Sequence, residues 1–210
     1  MATYYVTTAG SDSNGGTNDT SDAFATPGKA SSVATSAGDI VYIKAGTYTL
    51  TTATYSVAGG AVQTPTSARV AYIGYETTAG DGCPTGNRPI INAGSVAPAV
   101  VISIRTTGQQ QIIANIEVDG NNQNINGIAG QYLYHNYCNC VNCVCRNCDG
   151  DAGFLHTGAV GCLSIDNDGH GFSGGRSVHC RAEANTGTGF YGIANYAEAT
   201  HCTAVDNGGA

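Results

Sequence analysis

The chain has 210 residues and a formal net charge of −7, with 8 Lys+Arg against 15 Asp+Glu and only 11% charged residues. So acidic a surface repels phosphate backbones and anionic headgroups, which excludes nucleic acid and membrane surfaces as partners. Its Gly count of 30 follows no Gly-X-Y period, which excludes collagen, and its longest apolar stretches, such as Ala97 to Ile104, fall far short of the roughly 20 residues that cross a bilayer.

Residues 3–8, Thr-Tyr-Tyr-Val-Thr-Thr, predict a short strand, and 10–22 a polar loop. Residues 27–36 predict a short helix, with Pro27 at its start, Ala30, Val33 and Ala34 on one face, and Gly38 past its end. The segment Gly38-Asp39-Ile40-Val41-Tyr42-Ile43-Lys44-Ala45-Gly46-Thr47-Tyr48 predicts a strand, a Gly turn and a second strand start. Further strands are expected at Val70–Tyr75 and Ala99–Ile104, and Ile112, Ala114, Ile116 and Val118 alternate as one face of another. After residue 38 no helical pattern of normal length occurs.

The second half repeats. Gly153-Phe154, Gly171-Phe172 and Gly189-Phe190 recur every 18 residues. Ten residues before each Phe lie Val144, Cys162 and Cys180; five before lie Asp149, Asn167 and Asn185. Cys202 and Asn207 continue the series, each 22 residues on, and Val118 with Ile128 begins it. A variable period of short strands and Gly/Asn turns is a solenoid. Parallel stacking of coils at about 4.8 Å would place equivalent residues in columns. The expected structural ladder is Val118, Val144, Cys162, Cys180 and Cys202 inside, with Ile116, Val160, Val178 and Thr200 as a second inward column. The next inward position shrinks to Ser164, Ala182 and Ala204, and Asn167, Asn185 and Asn207 stack at a turn.

Tyr4-Tyr5-Val6, Gly10-Ser11-Asp12-Ser13, Phe24-Ala25-Thr26, Ala37-Gly38-Asp39-Ile40-Val41-Tyr42-Ile43 and Ala45-Gly46-Thr47-Tyr48 resemble the N-terminal cap and first coil of right-handed parallel β-helix proteins of the pectate-lyase-like superfamily. The start, Met-Ala-Thr-Tyr-Tyr-Val-Thr, looks like that of a bacteriophage virion protein of the tailspike type. The resemblance implies an all-β fold: a right-handed parallel β-helix solenoid with a short N-terminal cap of strand plus helix over 1–37 and one continuous stack of coils over 38–210. It implies no activity, because this fold carries lyases, hydrolases, tailspikes and inert shafts.

Several constellations could carry chemistry. Cys138, Cys140, Cys143, Cys145 and Cys148 contain two Cys-x-x-Cys pairs, but only Val144 separates the pairs, and a strand sends neighbours to opposite faces. They read as small buried hydrophobes rather than a zinc site. Asp166-Asn167-Asp168-Gly169 starts like a calcium loop but lacks the closing Glu, and reads as an Asx turn. Asp149, Asp151, Asp166, Asp168, Glu183 and Asp206 fall on neighbouring coils, where two carboxylates could sit at glycosidase separation beside Tyr191 and Tyr196. A lyase would need an Arg or Lys base with an acidic cluster in register; Arg181, expected outward, has none. His179 and His201 fall one residue before the thiol column, hence outward, and read as a solvated pair. No cofactor is expected.

Gly208-Gly209-Ala210 falls in mid-coil, so another subunit, a partner protein or a further C-terminal part is expected to cover that end. The first residues show no secretory leader. Together these features predict a non-enzymatic structural protein of a phage particle, a capsid decoration or tail spike or fibre module, located in the virion after synthesis in the host cytoplasm. The expected partners are further copies in a homo-oligomer, with a trimer favoured, and other virion proteins, with host surface glycan as a further candidate. The alternatives are a polysaccharide-degrading β-helix enzyme and a surface adhesive or filament subunit.

Overall fold

A computed structural model describes residues 1–55, 57–66, 68–105, 111–130, 138–192 and 198–209. Its strands fall into three parallel sheets. The first sheet stacks Thr3–Val6, Ile40–Lys44, Ala71–Tyr75, Gln111–Ala114, Cys138–Val141, Gly158–Val160, Arg176–Val178 and Glu198–Thr200. The second stacks Gly46–Thr49, Pro89–Asn92, Glu117–Gln123, Val144–Cys148, Leu163–Ile165, Arg181–Glu183 and Thr203–Val205. The third stacks Val62–Gln63, Val100–Ile104, Asn126–Gly130, Ala152–Leu155, His170–Ser173 and Phe190–Tyr191. The chain visits the sheets in that cyclic order, one strand of each per coil, which is a parallel β-helix. Thr3–Val6 joins the stack directly, Thr3 pairing with Ile40 and Val6 with Ile43. The helix Pro27–Val33 has Pro at its first position and Thr26 as N-cap, whose hydroxyl accepts from the Lys29 amide.

The corner between the first and second sheets is made by a single left-handed residue in coil after coil: Asn115, Asn142, Gly161, His179 and His201, with φ of 56°, 51°, 63°, 53° and 53°. Asn and Gly suit that conformation. In an earlier coil the same corner is the longer stretch 76–88, which Asp81 closes by accepting amide hydrogens from Glu76, Thr77, Thr78 and Cys83 at 2.7–3.0 Å.

The lumen is apolar. Ile43, Ile91, Ile102, Ile104, Ile113, Ile116, Ile125 and Ile128 are all fully buried, each contributing about 1.5–3 kcal/mol of burial. Phe154, Phe172 and Phe190 form a column of near-parallel rings with centroids 4.8 and 5.0 Å apart. Beside it runs an amide column. The Asn167 side-chain amide donates to Asn185 Oδ1 and that of Asn185 to Asn207 Oδ1, both at 2.8 Å. The same oxygens accept the backbone amides of Asn167 and Asn185, and Asn167 Oδ1 accepts that of Cys148. Each buried polar group thereby finds its partner one coil away. The glycines of the Gly-Phe repeat make room for these amides: a Cβ on Gly171 would lie 2.6 Å from Gly189 O, 2.9 Å from Ala182 Cβ and 3.1 Å from Asn185 Nδ2.

The thiol column differs from the expected one by one residue. Backbone bonds from Val144 to Ile116, Leu163 to Cys143, Arg181 to Cys162 and Thr203 to Cys180 align Ile116, Cys143, Cys162, Cys180 and Cys202. Val144 pairs with Glu117 and Leu163 on the half-exposed outer face, and Val118 belongs to the neighbouring inward column with Cys145, Ser164, Ala182 and Ala204. The cause is one additional corner residue. Ala152 pairs with His170, whereas Cys148 stands where Asn167 stands one coil on, so counting back 18 residues from Cys162 stops one short, at Val144 instead of Cys143. Val160, expected inward, is 42% exposed, while its neighbour Ala159 is buried.

One substitution pair and one single substitution test this packing by chemical denaturation. Ala159→Asp is expected to destabilise strongly, by placing an unpaired carboxylate in the lumen, and Val160→Asp to shift stability by about 0.5 kcal/mol or less. Gly171→Ala is expected to cost about 1–3 kcal/mol through overpacking against the amide column, although its φ is ordinary.

Candidate functional site

The corners 149–151, 166–169 and 184–189 stack along the edge between the second and third sheets. There Asp149, Asp166, Asn167, Asp168, Ala184 and Thr186 line an open groove of about 330 Å³. The additional corner residue that displaces the thiol register is what leaves Asp149 at this rim, because Cys148 fills the inward place. Asp149 is half-buried and Asp168 exposed. Burial, and then the charge of Asp168, raise the Asp149 carboxyl above the usual carboxylate range. Among the groove's described lining residues there are three carboxylates and no cation.

An aromatic pair continues the surface onto the third sheet. Thr186 is followed by Gly187, which lies so close to His170 that a Cβ would come within 2.9 Å of Nδ1. His170 Nδ1 accepts the Thr188 amide at 3.0 Å, so the ring hydrogen of this tautomer sits on Nε2. The Tyr191 ring stacks on the imidazole with centroids 4.3 Å apart and planes 3° from parallel, and Tyr191 is 47% exposed. Acid groove and aromatic platform thus adjoin. Tyr196 lies outside the described residues.

The other acids expected here are elsewhere engaged or apart. Glu183 stands on the outer face of the second sheet in an ion pair with Arg181 at 2.9 Å. Asp206 lines a separate recess with Asn207 and Gly209. The carbonyl of Asp151 accepts the His170 amide. Arg146 pairs with Glu117 and Arg176 with Glu198.

Asn167, the second residue of the calcium-like stretch, points its amide into the lumen, to Ser164 Oγ and Asn185 Oδ1, and is committed to packing. Cys140, Cys143, Cys145 and Cys148 are all buried, and the side chain of Cys138 lies outside the described residues. Burial pushes the Cys145 thiol well up and that of Cys148 to about 12, which holds both as protonated, apolar fillers. His179 and His201 are exposed and stack with centroids 5.0 Å apart. Among the described residues no group of three or more His, Cys, Asp or Glu is placed to hold a metal ion. No helix there is long and apolar enough to cross a membrane.

No protein-family model matches the chain. No curated protein matches it either. Among solved structures it is similar to a rhamnogalacturonan lyase, at 17% identity and a TM-score of 0.47, over 98% of this chain. The chain spans 62% of that protein's length. This finding corrects the expectation of a non-enzymatic phage-particle component: the match is an enzyme. At that score the likeness decides neither substrate nor reaction.

The raised carboxyl has a consequence for stability. With its folded-state proton affinity above the unfolded one, Asp149 favours folding while protonated and opposes it once ionised. Asp149→Asn is therefore expected to unfold at higher denaturant than the parent at pH 7. The gap should close as pH falls through and below the ordinary carboxyl range near 4. Parallel denaturation series at the two ends of that range measure it.

Proposed function

We propose that the chain is a polysaccharide-degrading β-helix enzyme that hydrolyses an uncharged glycan at the Asp149–Asp168 groove. The observation that carries this reading is the inequality of the two carboxyls: Asp149 is raised by burial and by its neighbour, while Asp168 is exposed to water. Of two acids in one groove, the one whose proton affinity is raised suits the role of acid and the water-exposed one that of base.

In this assignment Asp149 donates its proton to the glycosidic oxygen as the bond to the anomeric carbon breaks. Asp168 carries the carboxylate that faces the developing oxocarbenium charge and draws a proton from the incoming water. Water adds across the bond and leaves a new reducing end. The His170–Tyr191 pair offers a flat apolar surface against which the C–H face of a sugar ring packs, with Nε2–H and the phenol at its edges as hydrogen-bonding groups. The openness of the groove and its course across stacked coils suit a polymer. Its carboxylates and the net charge of −7 favour a neutral chain over a polyuronate.

Reducing-end assays on neutral polysaccharides (galactan, arabinan, mannan and β-glucan) test the reading. Cleavage of at least one is expected, with kcat falling about 10²–10⁴-fold in Asp149→Asn and in Asp168→Asn. Tyr191→Ala should raise KM more than it lowers kcat. Absence of cleavage across the panel, or full activity in both Asp variants, would overturn it.

A further inference from the structure

On the opposite margin of the third sheet, where it turns into the first, a second cavity of about 170 Å³ opens between Tyr191, Gly192 and Glu198 at its rim and Phe154, Phe172 and Phe190 at its wall. Thr157, Ser173 and Ser177 complete the lining, together with Gly174, Gly175 and Ala199. Those three hydroxyl residues are 4%, 6% and 5% exposed. Thr157 Oγ1 is buried with no hydrogen-bond partner. The hydroxyls of Ser173 and Ser177 also bond to no described residue but, unlike Thr157 Oγ1, they are not sealed from solvent.

One buried hydroxyl without a partner, Thr157 Oγ1, and two further hydroxyls that bond to no described residue, those of Ser173 and Ser177, face one cavity in a molecule whose amide column is so fully satisfied. Leaving a buried group such as Thr157 Oγ1 without a partner costs on the order of 1–3 kcal/mol, which a bound ligand with matching groups would recover. The large apolar side chains of the wall are aromatic, Phe154, Phe172, Phe190 and Tyr191. A ligand that presents an apolar face to rings and hydroxyls to hydroxyls fits both halves. The hydroxyls of Ser and Thr both donate and accept, so they place no demand on charge. The Glu198 carboxylate at the rim is held by Arg176 at 3.2 Å and by the Thr200 hydroxyl, and it disfavours an anion. The volume is several times the roughly 30 Å³ share of one water and under the ~300 Å³ of drug-sized sites, which is room for one six-membered ring.

We propose that this cavity is a binding site for a single neutral sugar residue, separate from the Asp149 groove and joined to it only through Tyr191, which lies at the cavity's rim and on the aromatic platform. The proposal takes its ligand class from the polysaccharide reading but not its location, which follows from the unbonded hydroxyls and the aromatic wall. A glycan crossing the platform would leave one ring in the cavity, and a free monosaccharide would occupy it alone.

Saturation-transfer NMR on the full chain, with free galactose, glucose, mannose, rhamnose, arabinose and galacturonate as probes, tests it. At least one neutral sugar is expected to bind with a millimolar Kd, and galacturonate at least about 10-fold more weakly. Ser177→Ala and Ser173→Ala should each weaken binding roughly 5–10-fold, the effect of about 1–1.5 kcal/mol per lost hydrogen bond. Thr157→Val should do the same; because it alters a fully buried site, the two serine variants and circular dichroism guard against mere unfolding. Asp149→Asn should bind the sugar as the parent does, so a chain that fails to cleave polysaccharide yet binds monosaccharide through Ser177 would sink the hydrolase assignment and leave the cavity standing. Absence of binding by every neutral sugar, or binding unaffected in the Ser173→Ala/Ser177→Ala double variant, would overturn the cavity proposal.

Discussion

Every other feature of this molecule depends on the in-register stacking of one coil on the next. Amides and carbonyls of each strand are satisfied by strands of adjacent coils, so a residue's neighbours are its own equivalents above and below. That geometry rewards repetition. A ring stacks well on the same ring, as Phe154, Phe172 and Phe190 do, and a side-chain amide donates and accepts in one direction, as Asn167, Asn185 and Asn207 do. The glycines of the Gly-Phe repeat follow from it as well, since the amide column occupies the space their side chains would need.

The repetition is also what made the fold legible in the sequence. The recurrence of Gly-Phe and of Cys and Asn announces stacked coils, and Pro27 marks the start of the one helix among the described residues. The count of residues between columns was less readable. A corner can hold one more residue without disturbing either strand it joins, and a fixed spacing then slides from the lumen to the outer face, as happens between Val144 and Cys143. The alternation of Val160 with Ala159 was equally ambiguous, because Val suits either face of a strand whereas small residues are needed only within.

Of the candidate site, the acids themselves were visible in the sequence but their grouping was not. Asp149 and Asp168 meet only because Cys148 takes the inward place that the repeat seemed to give Asp149. Glu183, which looked equally available, is instead held by its near neighbour Arg181 on another face. The hydroxyls of Thr157, Ser173 and Ser177 carried no sequence signal at all, since isolated Ser and Thr are ordinary in strands and the unpartnered burial of Thr157 Oγ1 is a property of three dimensions. Chemistry therefore gathers where the repeat is broken, at corners and sheet margins, and the regular faces are left to packing.

The stretch 76–88 carries this division furthest. It leaves the first sheet after Tyr75 and re-enters the second at Pro89, and Asp81 ties it off through four amides of its own segment. Outside its own segment it is held by the buried Cys83 and by the Arg88 guanidinium on the Asn142 carbonyl, so an exchange would have to replace those two contacts. A graft of different length and composition that returned the chain to Pro89 in phase would alter the outside of the prism while the lumen kept its architecture, and diversification of this scaffold can proceed by swapping appendages instead of rebuilding the shaft.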